Sequence, residues 1–207
     1  MTEQERLEKN ERIKRTRRET LARRTNQTCT VYKIKIDTSR LSKKQLEELK
    51  MLFVEAKWMY NDILNFSEEN DIHLYNPLKK AVSVRNKNGE FEERPLRFIG
   101  SQMKQSILAQ TLSTIKALST LKKRKKQNSG KLKYTSNYTS LNLKKYENCY
   151  KFYSKNTLRI QGVSGRVKVF GVDQFINDKT IEFANAKVLN TPKGYYVNIT
   201  TYRNKVS

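Results

Sequence analysis

The sequence is poor in cysteine and histidine. Its two cysteines, Cys29 and Cys149, and its single histidine, His73, lie far apart along the chain. A structural zinc site normally takes four Cys or His ligands, so these three residues predict no metal site. Two distant cysteines also imply no disulfide framework, which is typical of a reducing cytoplasm. We therefore predict neither a metal nor another cofactor.

Long apolar runs are missing as well. No stretch approaches the ~20 apolar residues that span a bilayer. The first residues are charged and lack the apolar region of a secretion signal. From these two features we expect a cytoplasmic protein that does not enter a membrane.

Acidic residues are scarce relative to basic ones. There are 43 Lys and Arg against 20 Asp and Glu, which gives a formal net charge of +23. Positive charge in such excess repels itself unless a polyanion neutralises it. A surface that is merely soluble usually mixes both signs. Nucleic acid and anionic membranes are the two common polyanions, and the lack of apolar segments favours nucleic acid.

Residues 1–28 predict a charged helix with too few apolar positions to fold onto a core by itself. Basic segments of this kind often become ordered on nucleic acid. A solvated extension without a partner is the alternative. In the first interpretation, the RNA-binding arm consists of Arg15, Arg17, Arg18, Arg23 and Arg24.

Apolar periodicity then predicts a strand and a helix. Residues 29–36 alternate between apolar and basic side chains, as in a strand with one apolar and one cationic face. A helix should begin after the N-cap Ser42, with Gln45 completing a capping box. Apolar residues recur every three or four positions beyond it, and the helix should fade between Phe66 and Asn70.

The middle of the chain predicts a loop and then a second helix. Residues 71–100 contain the turn signals Asn76-Pro77 and Asn88-Gly89 and are expected to form a loop-rich connection. A helix should run from about Ser101 to Lys126, again with an apolar stripe. Residues 122–126 are five consecutive cations, more than a helix C-terminus needs.

From Ser129 onward the pattern changes to short alternating runs, which predict strands. These runs are 150–153, 157–160, 166–170, 180–183 and 195–202. Regular short strands of this kind suggest a small barrel or sandwich. We therefore predict an α+β fold in which a small β-barrel is interrupted by an α-helical lobe. The expected domains are a basic N-terminal helical extension (1–28), a discontinuous barrel (29–37 and 129–207) and a helical lobe (38–128).

Three stretches resemble the opening of TnpB (OrfB) proteins of insertion sequences. They are Tyr32-Lys-Ile-Lys-Ile, Ser42-Lys-Lys-Gln-Leu-Glu-Glu-Leu and Ala56-Lys-Trp-Met-Tyr-Asn. That family typically shows a short basic strand, a helix with the pattern K/x-Q-x-x-x-L and the ending R/K-x-x-Y-N. Gly100-Ser-Gln-Met-Lys-Gln resembles the P-S-Q-x-x-Q start of its second helix.

Later stretches resemble the same family in the same order. Gly130-Lys-Leu-Lys-Tyr is similar to its G-x-P-R-F-K turn, although the proline is missing here. Leu158-Arg-Ile and Val167-Lys-Val resemble its L-K-L-P-K-L-G-x-V-K-V hairpin. Lys193-Gly-Tyr-Tyr-Val-Asn-Ile resembles its G-x-W/Y-Y-V-S strand. The match covers about residues 30–203, and it rests on the number and order of short motifs.

The resemblance implies a wedge-type, OB-like barrel that carries a helical recognition lobe, as in the related compact type V CRISPR effectors. In that family these parts grip a guide RNA, read a short motif in double-stranded target DNA and hold the RNA–DNA heteroduplex by its shape. We therefore expect the nucleic-acid-binding module of an RNA-guided, transposon-associated protein. Its expected partners are a noncoding guide RNA and double-stranded DNA, in a bacterial cytoplasm at the nucleoid or on RNA.

The nuclease half of the family is not expected in this chain. Family members cleave DNA with a RuvC domain whose three carboxylates hold two metal ions. Gly171-Val-Asp173 imitates the first motif of that domain, G-[IV]-D-x-G, but Phe175 replaces its second Gly and only residues 174–207 follow. We expect Asp178 and Glu182 to be turn and surface residues, and the chain alone to be no enzyme.

Two other functions remain open from the sequence. One is a general RNA-binding protein of the ribosome-associated type. The other is a subunit of a split transposon-encoded endonuclease, completed by a partner chain with a RuvC domain. A second copy of the chain, in a homodimer, is a further partner that we consider.

Phosphate contacts are expected from the basic tract around the second helix and the start of the barrel. Its members are Lys122, Lys123, Arg124, Lys125, Lys126, Lys131, Lys133, Lys144 and Lys145. Four tyrosines interleave with this tract and either stack on bases or fill the barrel core. They are Tyr134, Tyr138, Tyr146 and Tyr150.

By matched position, the resemblance also implies a set of DNA-motif readers. They are Gln105, Thr139 and Ser140, with Asn142 nearby and Tyr75 as a further member. Gln pairs with adenine and Thr contacts the thymine methyl group, which fits an A/T-rich motif. For Gln105, a helix residue that merely faces solvent is the alternative.

Overall fold

The computed structural model describes residues 2–125 and 130–205, which contain three α-helices and nine β-strands. The helices are α1 (Glu3–Thr25), α2 (Lys43–Glu69) and α3 (Ser101–Lys125). The strands are β1 (Gln27–Ile36), β2 (Ala81–Arg85), β3 (Phe91–Pro95), β4 (Ser140–Leu143), β5 (Tyr150–Ser154), β6 (Thr157–Ile160), β7 (Val167–Phe170), β8 (Glu182–Thr191) and β9 (Gly194–Asn204). Short 3-10 turns lie at Thr38–Arg40 and Ile72–Leu74.

Seven strands form one antiparallel sheet in the order β4-β8-β9-β1-β7-β6-β5. The sheet curls until its two ends approach each other. The hydroxyl of Tyr150, on β5, donates a 2.8 Å hydrogen bond to the carbonyl oxygen of Ala184, on β8. The ring of Tyr146 stacks on the ring of Phe183, with 4.7 Å between centroids. The sheet is therefore a nearly closed barrel, and the α+β class expected from the sequence is confirmed.

Strand β1 runs through the middle of the sheet, between β9 and β7. The alternation read from the sequence holds along its second half, where Ile34 and Ile36 are fully buried while Lys33 and Lys35 are exposed. Successive side chains of a strand point to opposite faces, so one face of β1 lines the barrel core and the other carries the cations to solvent.

Helix α2 begins with the predicted capping box. Ser42 Oγ accepts from the backbone N–H of Gln45 at 3.1 Å, and Gln45 Oε1 accepts from the N–H of Ser42 at 3.1 Å. The predicted apolar stripe of α2 is buried against the barrel. One continuous core contains buried residues of α2, α3 and the sheet, so the division into a barrel domain and a helical lobe stays a prediction.

The connection between α2 and α3 differs from the expected loop. Residues 81–95 form an antiparallel hairpin of β2 and β3, closed by the Asn88-Gly89 turn that the sequence indicated. Strand β3 reads Phe-Glu-Glu-Arg-Pro and lacks alternating apolar residues, so its periodicity carried no strand signal. Strand β2 packs on α2, and its Val82 is buried in the same core.

Strand β8 is longer than the run 180–183 that predicted it, and β4 was not predicted. The register of β8 against β9 shifts between Phe183 and Ala186. After a shift of this kind, the inward-facing residues no longer continue the alternation that precedes it. A search for period-two alternation therefore misses the second half of β8.

Candidate nucleic-acid interface

Two consecutive side chains of α2 hold other parts of the chain beside the helix. Asn61 makes reciprocal bonds with the backbone of Thr135: its Oδ1 accepts from the Thr135 N–H at 2.9 Å and its Nδ2 donates to the carbonyl oxygen at 3.0 Å. The segment before β4 is thereby fastened to α2. The sequence marked Asn61 only as part of a family motif, and the structure gives it this positioning contact.

Asp62 fastens the hairpin in the same way. It is buried, and its Oδ1 accepts from the backbone N–H of Ser83 on β2 at 3.0 Å. Its Oδ2 accepts from the hydroxyl of Tyr75 at 2.5 Å and from Lys79 Nζ at 3.0 Å. A buried carboxylate needs such partners to offset its desolvation, so Asp62 orders the hairpin and the loop before it.

Replacing Asp62 by asparagine is expected to lower the free energy of unfolding by about 2 kcal/mol. The amide keeps one acceptor oxygen, so its NH2 group, a donor, must face either the Ser83 N–H or the donors of Tyr75 and Lys79. Urea unfolding measures this loss, and hydrogen exchange should show the largest gain in the amides of residues 81–95. The exposed Asp71, whose carboxylate accepts from the backbone N–H of His73 at 3.0 Å, is the control. Equal effects of Asp62→Asn and Asp71→Asn would contradict this role.

The two fastened segments and α2 enclose a cleft of about 880 Å³ that we call the Trp58 cleft. Its floor includes Trp58 and Asn65 of α2, one wall is the β2–β3 hairpin, and the other wall is the segment around Tyr134. The side chains of Phe91 and Tyr134 are 59% and 52% exposed. Large aromatic side chains are normally buried more deeply, so the cleft presents unusual apolar surface within a polar surround.

The charge of the Trp58 cleft is predominantly positive. Its lining contains the cations Lys57, Arg85, Lys87 and Arg94, and the acid Glu68. Arg94 pairs with Glu92, and its guanidinium lies 4.8 Å from the centroid of the Trp58 ring.

The acid of the cleft is engaged with the wall. Tyr134 donates its hydroxyl to Glu68 Oε1 at 2.8 Å. Burial and this hydrogen bond raise the pKa of the Tyr134 hydroxyl, against the opposing charge of Arg85. The Tyr134 hydroxyl therefore stays protonated at neutral pH, and its hydrogen bond holds the Glu68 carboxylate against the wall of the cleft.

Tyr134 also borders two further grooves, which bring together residues from the predicted sets. One groove, of about 410 Å³, is lined by Lys133, Tyr134, Tyr138, Thr139 and Ser140. The other, of about 810 Å³, lies between α2, α3 and residues 130–134, and Lys122 and Lys131 line it. Two of the expected motif readers and three of the expected phosphate contacts thus lie around one tyrosine.

Other members of the basic tract lie apart from these grooves or outside the described side chains. Lys123, Lys144 and Lys145 are exposed. Lys126 falls outside the described residues, and so do the side chains of Arg124 and Lys125. The phosphate contacts expected of the basic tract stay predictions.

The remaining predicted motif readers divide into accessible and inaccessible ones. Gln105 is exposed on α3, and Asn142 is half-buried with its Nδ2 donating to Ser106 Oγ at 3.1 Å. Tyr75 is only 3% exposed, and its hydroxyl donates a hydrogen bond to Asp62. It therefore cannot reach DNA, and its assignment as a motif reader is corrected to that of a core residue. Gln110, which the sequence did not single out, lines the groove with Thr139.

Three of the four interleaved tyrosines are committed to packing. Tyr150 is fully buried, which raises the pKa of its hydroxyl, and its role is that of a core residue. Tyr146 stacks on Phe183. Tyr138 is half-buried against Tyr60, and burial raises the pKa of its hydroxyl to about 12. Tyr134 is the one of the four with an exposed ring.

Helix α1 has no buried residue, and two of its predicted RNA-binding arginines attach it to the barrel. Arg23 and Arg24 both pair with Glu182, at 3.2 and 2.6 Å, and the Arg24 guanidinium lies 3.5 Å from the centroid of the Tyr202 ring. These contacts attach α1 to the barrel, and the role of Arg23 and Arg24 in RNA binding stays a prediction. Arg15, Arg17 and Arg18 are exposed, and their role in RNA binding stays a prediction.

The Gly171-Val-Asp173 motif lies in the turn region between β7 and β8. Val172 is buried while Asp173 is exposed. Asp178 accepts from the N–H of Thr180 at 2.9 Å and pairs with Arg203, as expected of a turn residue. Across residues 2–125 and 130–205, no group of three His, Cys, Asp or Glu side chains is arranged to hold a metal ion.

Neither a comparison with protein-family models nor a comparison with curated proteins finds a match to this chain. The resemblance to TnpB proteins therefore depends on the motifs quoted from the sequence. Among the helices of the described residues, none has the length and apolar character needed to cross a bilayer.

Proposed function

We propose that this chain is a nucleic-acid-binding module of the TnpB-like kind, which binds a guide RNA and a short A/T-rich motif in target DNA without a nuclease centre of its own. One observation carries the proposal. On a chain with a net charge of +23, three neighbouring grooves that share Tyr134 collect basic side chains, polar side chains and an exposed ring. Cations supply phosphate contacts, and polar side chains such as Thr139 and Ser140 can reach base edges.

The salt dependence of binding tests the phosphate contacts. We expect the chain to bind a 20-base-pair RNA–DNA heteroduplex, a length of about two helical turns, with an affinity that falls steeply as salt rises. Replacing Lys122, Lys131 and Lys133, the three lysines that line the grooves, by alanine should reduce the slope of log K against log salt by about 2 to 3, because each lost phosphate contact removes about 0.7–0.9. Fluorescence polarisation across a salt series measures the slope.

A matched triple variant controls for the loss of charge itself. Lys155, Lys179 and Lys193 are exposed lysines of the barrel that line none of the three grooves around Tyr134. Their replacement removes the same net charge and should change the slope by much less. Equal slopes for the two variants would show that the grooves are not the phosphate-binding surface.

Sequencing of co-purified RNA separates the proposal from the general RNA-binding alternative. One dominant noncoding RNA encoded next to the gene supports a guide, whereas mixed ribosomal RNA supports a ribosome-associated protein.

A cleavage assay with Mg²⁺ tests the remaining alternative. Cleavage by the chain alone that is lost in Asp173→Ala would overturn the absence of a nuclease centre, and cleavage that needs a RuvC-containing partner would support a split endonuclease.

A further inference from the structure

The aromatic lining of the Trp58 cleft comes from three separate parts of the chain. Trp58 lies on α2, Phe91 on β3, and Tyr134 between α3 and β4. Apolar side chains that converge from distant positions and stay more than half exposed, as Phe91 and Tyr134 do, leave surface for a ligand. Flat aromatic rings offer that ligand a stacking surface.

The polar lining indicates an anion with hydrogen-bonding edges. The lining contains four cations and one acid, Glu68, which accepts a hydrogen bond from the Tyr134 hydroxyl. Lys57 and Lys87 have no ion pair within the described residues, and Asn65 makes no side-chain hydrogen bond there. A free amide can pair with the edge of a nucleobase, and free ammonium groups can contact its phosphate.

The size of the cleft fits nucleotides. About 880 Å³ lies within the roughly 300–1,000 Å³ of typical ligand pockets. In a duplex the faces of the bases are covered by their neighbours in the stack, so the rings of a protein can stack only on bases that are unpaired. The aromatic lining therefore favours a single strand over a double helix.

We propose that the Trp58 cleft binds unpaired nucleotides of RNA or DNA, with bases stacked on Phe91 and Tyr134 and phosphates held by Lys57 and Lys87. This inference rests on the proposed function, because it names which form of nucleic acid one part of the interface takes. Under this proposal, the grooves beside Lys122, Lys131 and Lys133 bind the phosphate backbone of the base-paired regions.

Trp58 is the only tryptophan of the chain, so its fluorescence reports on the cleft directly. Titration with single-stranded oligonucleotides of about eight nucleotides, within the site sizes common for such proteins, should quench it. Separate titrations with RNA and DNA distinguish the two sources of the strand. A duplex of the same sequence and length should leave the emission nearly unchanged.

Ring deletions test the stacking contacts. Phe91→Ala and Tyr134→Ala should each weaken single-strand binding by about 5- to 100-fold, while Tyr134→Phe, which keeps the ring, should bind nearly as tightly as the wild type. Phe170→Ala is the matched control, because Phe170 is 57% exposed on β7 and does not line the cleft. It should bind like the wild type.

Two outcomes overturn the inference. They are a single strand that binds without any change in Trp58 emission, and a Phe91→Ala variant that binds as well as Phe170→Ala. The same proteins are also titrated with the RNA–DNA heteroduplex. Tight heteroduplex binding, together with a Trp58 emission that stays unchanged when the single strand is added, refutes the cleft while supporting the proposed function. No binding of either ligand refutes both.

Discussion

Replacing Glu55 by alanine is expected to lower the free energy of unfolding by about 3–5 kcal/mol. Glu55 lies on α2 and is 1% exposed. Its carboxylate accepts from three consecutive backbone N–H groups, those of Arg97 at 2.7 Å, Phe98 at 2.8 Å and Ile99 at 3.0 Å. Removing the carboxylate leaves these N–H groups without their partner in a site that water reaches poorly.

Urea unfolding followed by circular dichroism measures the loss as a shift of the midpoint at constant m-value. Glu47→Ala is the control, because Glu47 is exposed on the same helix and its replacement should change stability by no more than about 0.5 kcal/mol. Glu55→Gln keeps one acceptor oxygen and should fall between the two. If Glu55→Ala shifted the midpoint no more than Glu47→Ala, the carboxylate would have no part in ordering residues 97–99.

Replacing Gly162 by alanine is expected to destabilise the protein by about 2–5 kcal/mol, for two reasons that add. Gly162 has a φ of +88°, which costs a residue with a Cβ about 1–2 kcal/mol. The new Cβ would also overlap the carbonyl oxygen of Phe98 and lie 2.6 Å from Leu52 Cδ2, and overpacking costs about 1–3 kcal/mol. Thermal and urea unfolding measure the sum.

Two other glycines separate these contributions. Gly165 has a φ of +67° but open space around it, with only Gln45 Nε2 at 3.5 Å, so Gly165→Ala should show the backbone cost alone. Gly130 has no atom of the described residues within 4 Å of an added Cβ and should tolerate alanine without loss. A Gly162→Ala variant as stable as Gly165→Ala would show that the turn shifts to admit the methyl group.

Glu55 and Gly162 act on the same short segment from opposite sides. Glu55, on α2, binds the N–H of Phe98, while Gly162, in the turn after β6, lies against its carbonyl oxygen. The segment leads from the hairpin into α3. The barrel and the helices are thereby joined at Phe98, and a loss at either contact is expected to loosen the entry of α3.

The elements that the sequence predicted well are those whose signals are local. The capping box joins Ser42 to Gln45, three positions apart, and the stripe of α2 repeats every three or four residues. Strand β1 alternates with period two. The sequence missed or misjudged four strands whose local signal is weak. Strands β2 and β4 alternate over only five and four residues, β3 is polar, and β8 is interrupted by a register shift.

In the candidate site, too, the sequence showed what is local and missed what depends on contacts between distant residues. The basic tract and its tyrosines could be named from residue types, yet their roles could not. Only their partners separate Tyr75, Tyr150 and Arg24 from neighbours that carry the same chemical groups and stayed exposed. The Trp58 cleft had no sequence signal at all, because its lining comes from helix, hairpin and loop.

The sequence by itself determined the strong positive charge, the α+β class and the helices, because each depends on composition or on residues within four positions of one another. The tertiary structure decided which cations and rings face a common cleft. Those placements depend on contacts across the chain, such as Asn61 with Thr135, Asp62 with Ser83 and Glu55 with Phe98. A buried polar group is stable only with a partner, and only the folded chain brings these partners together.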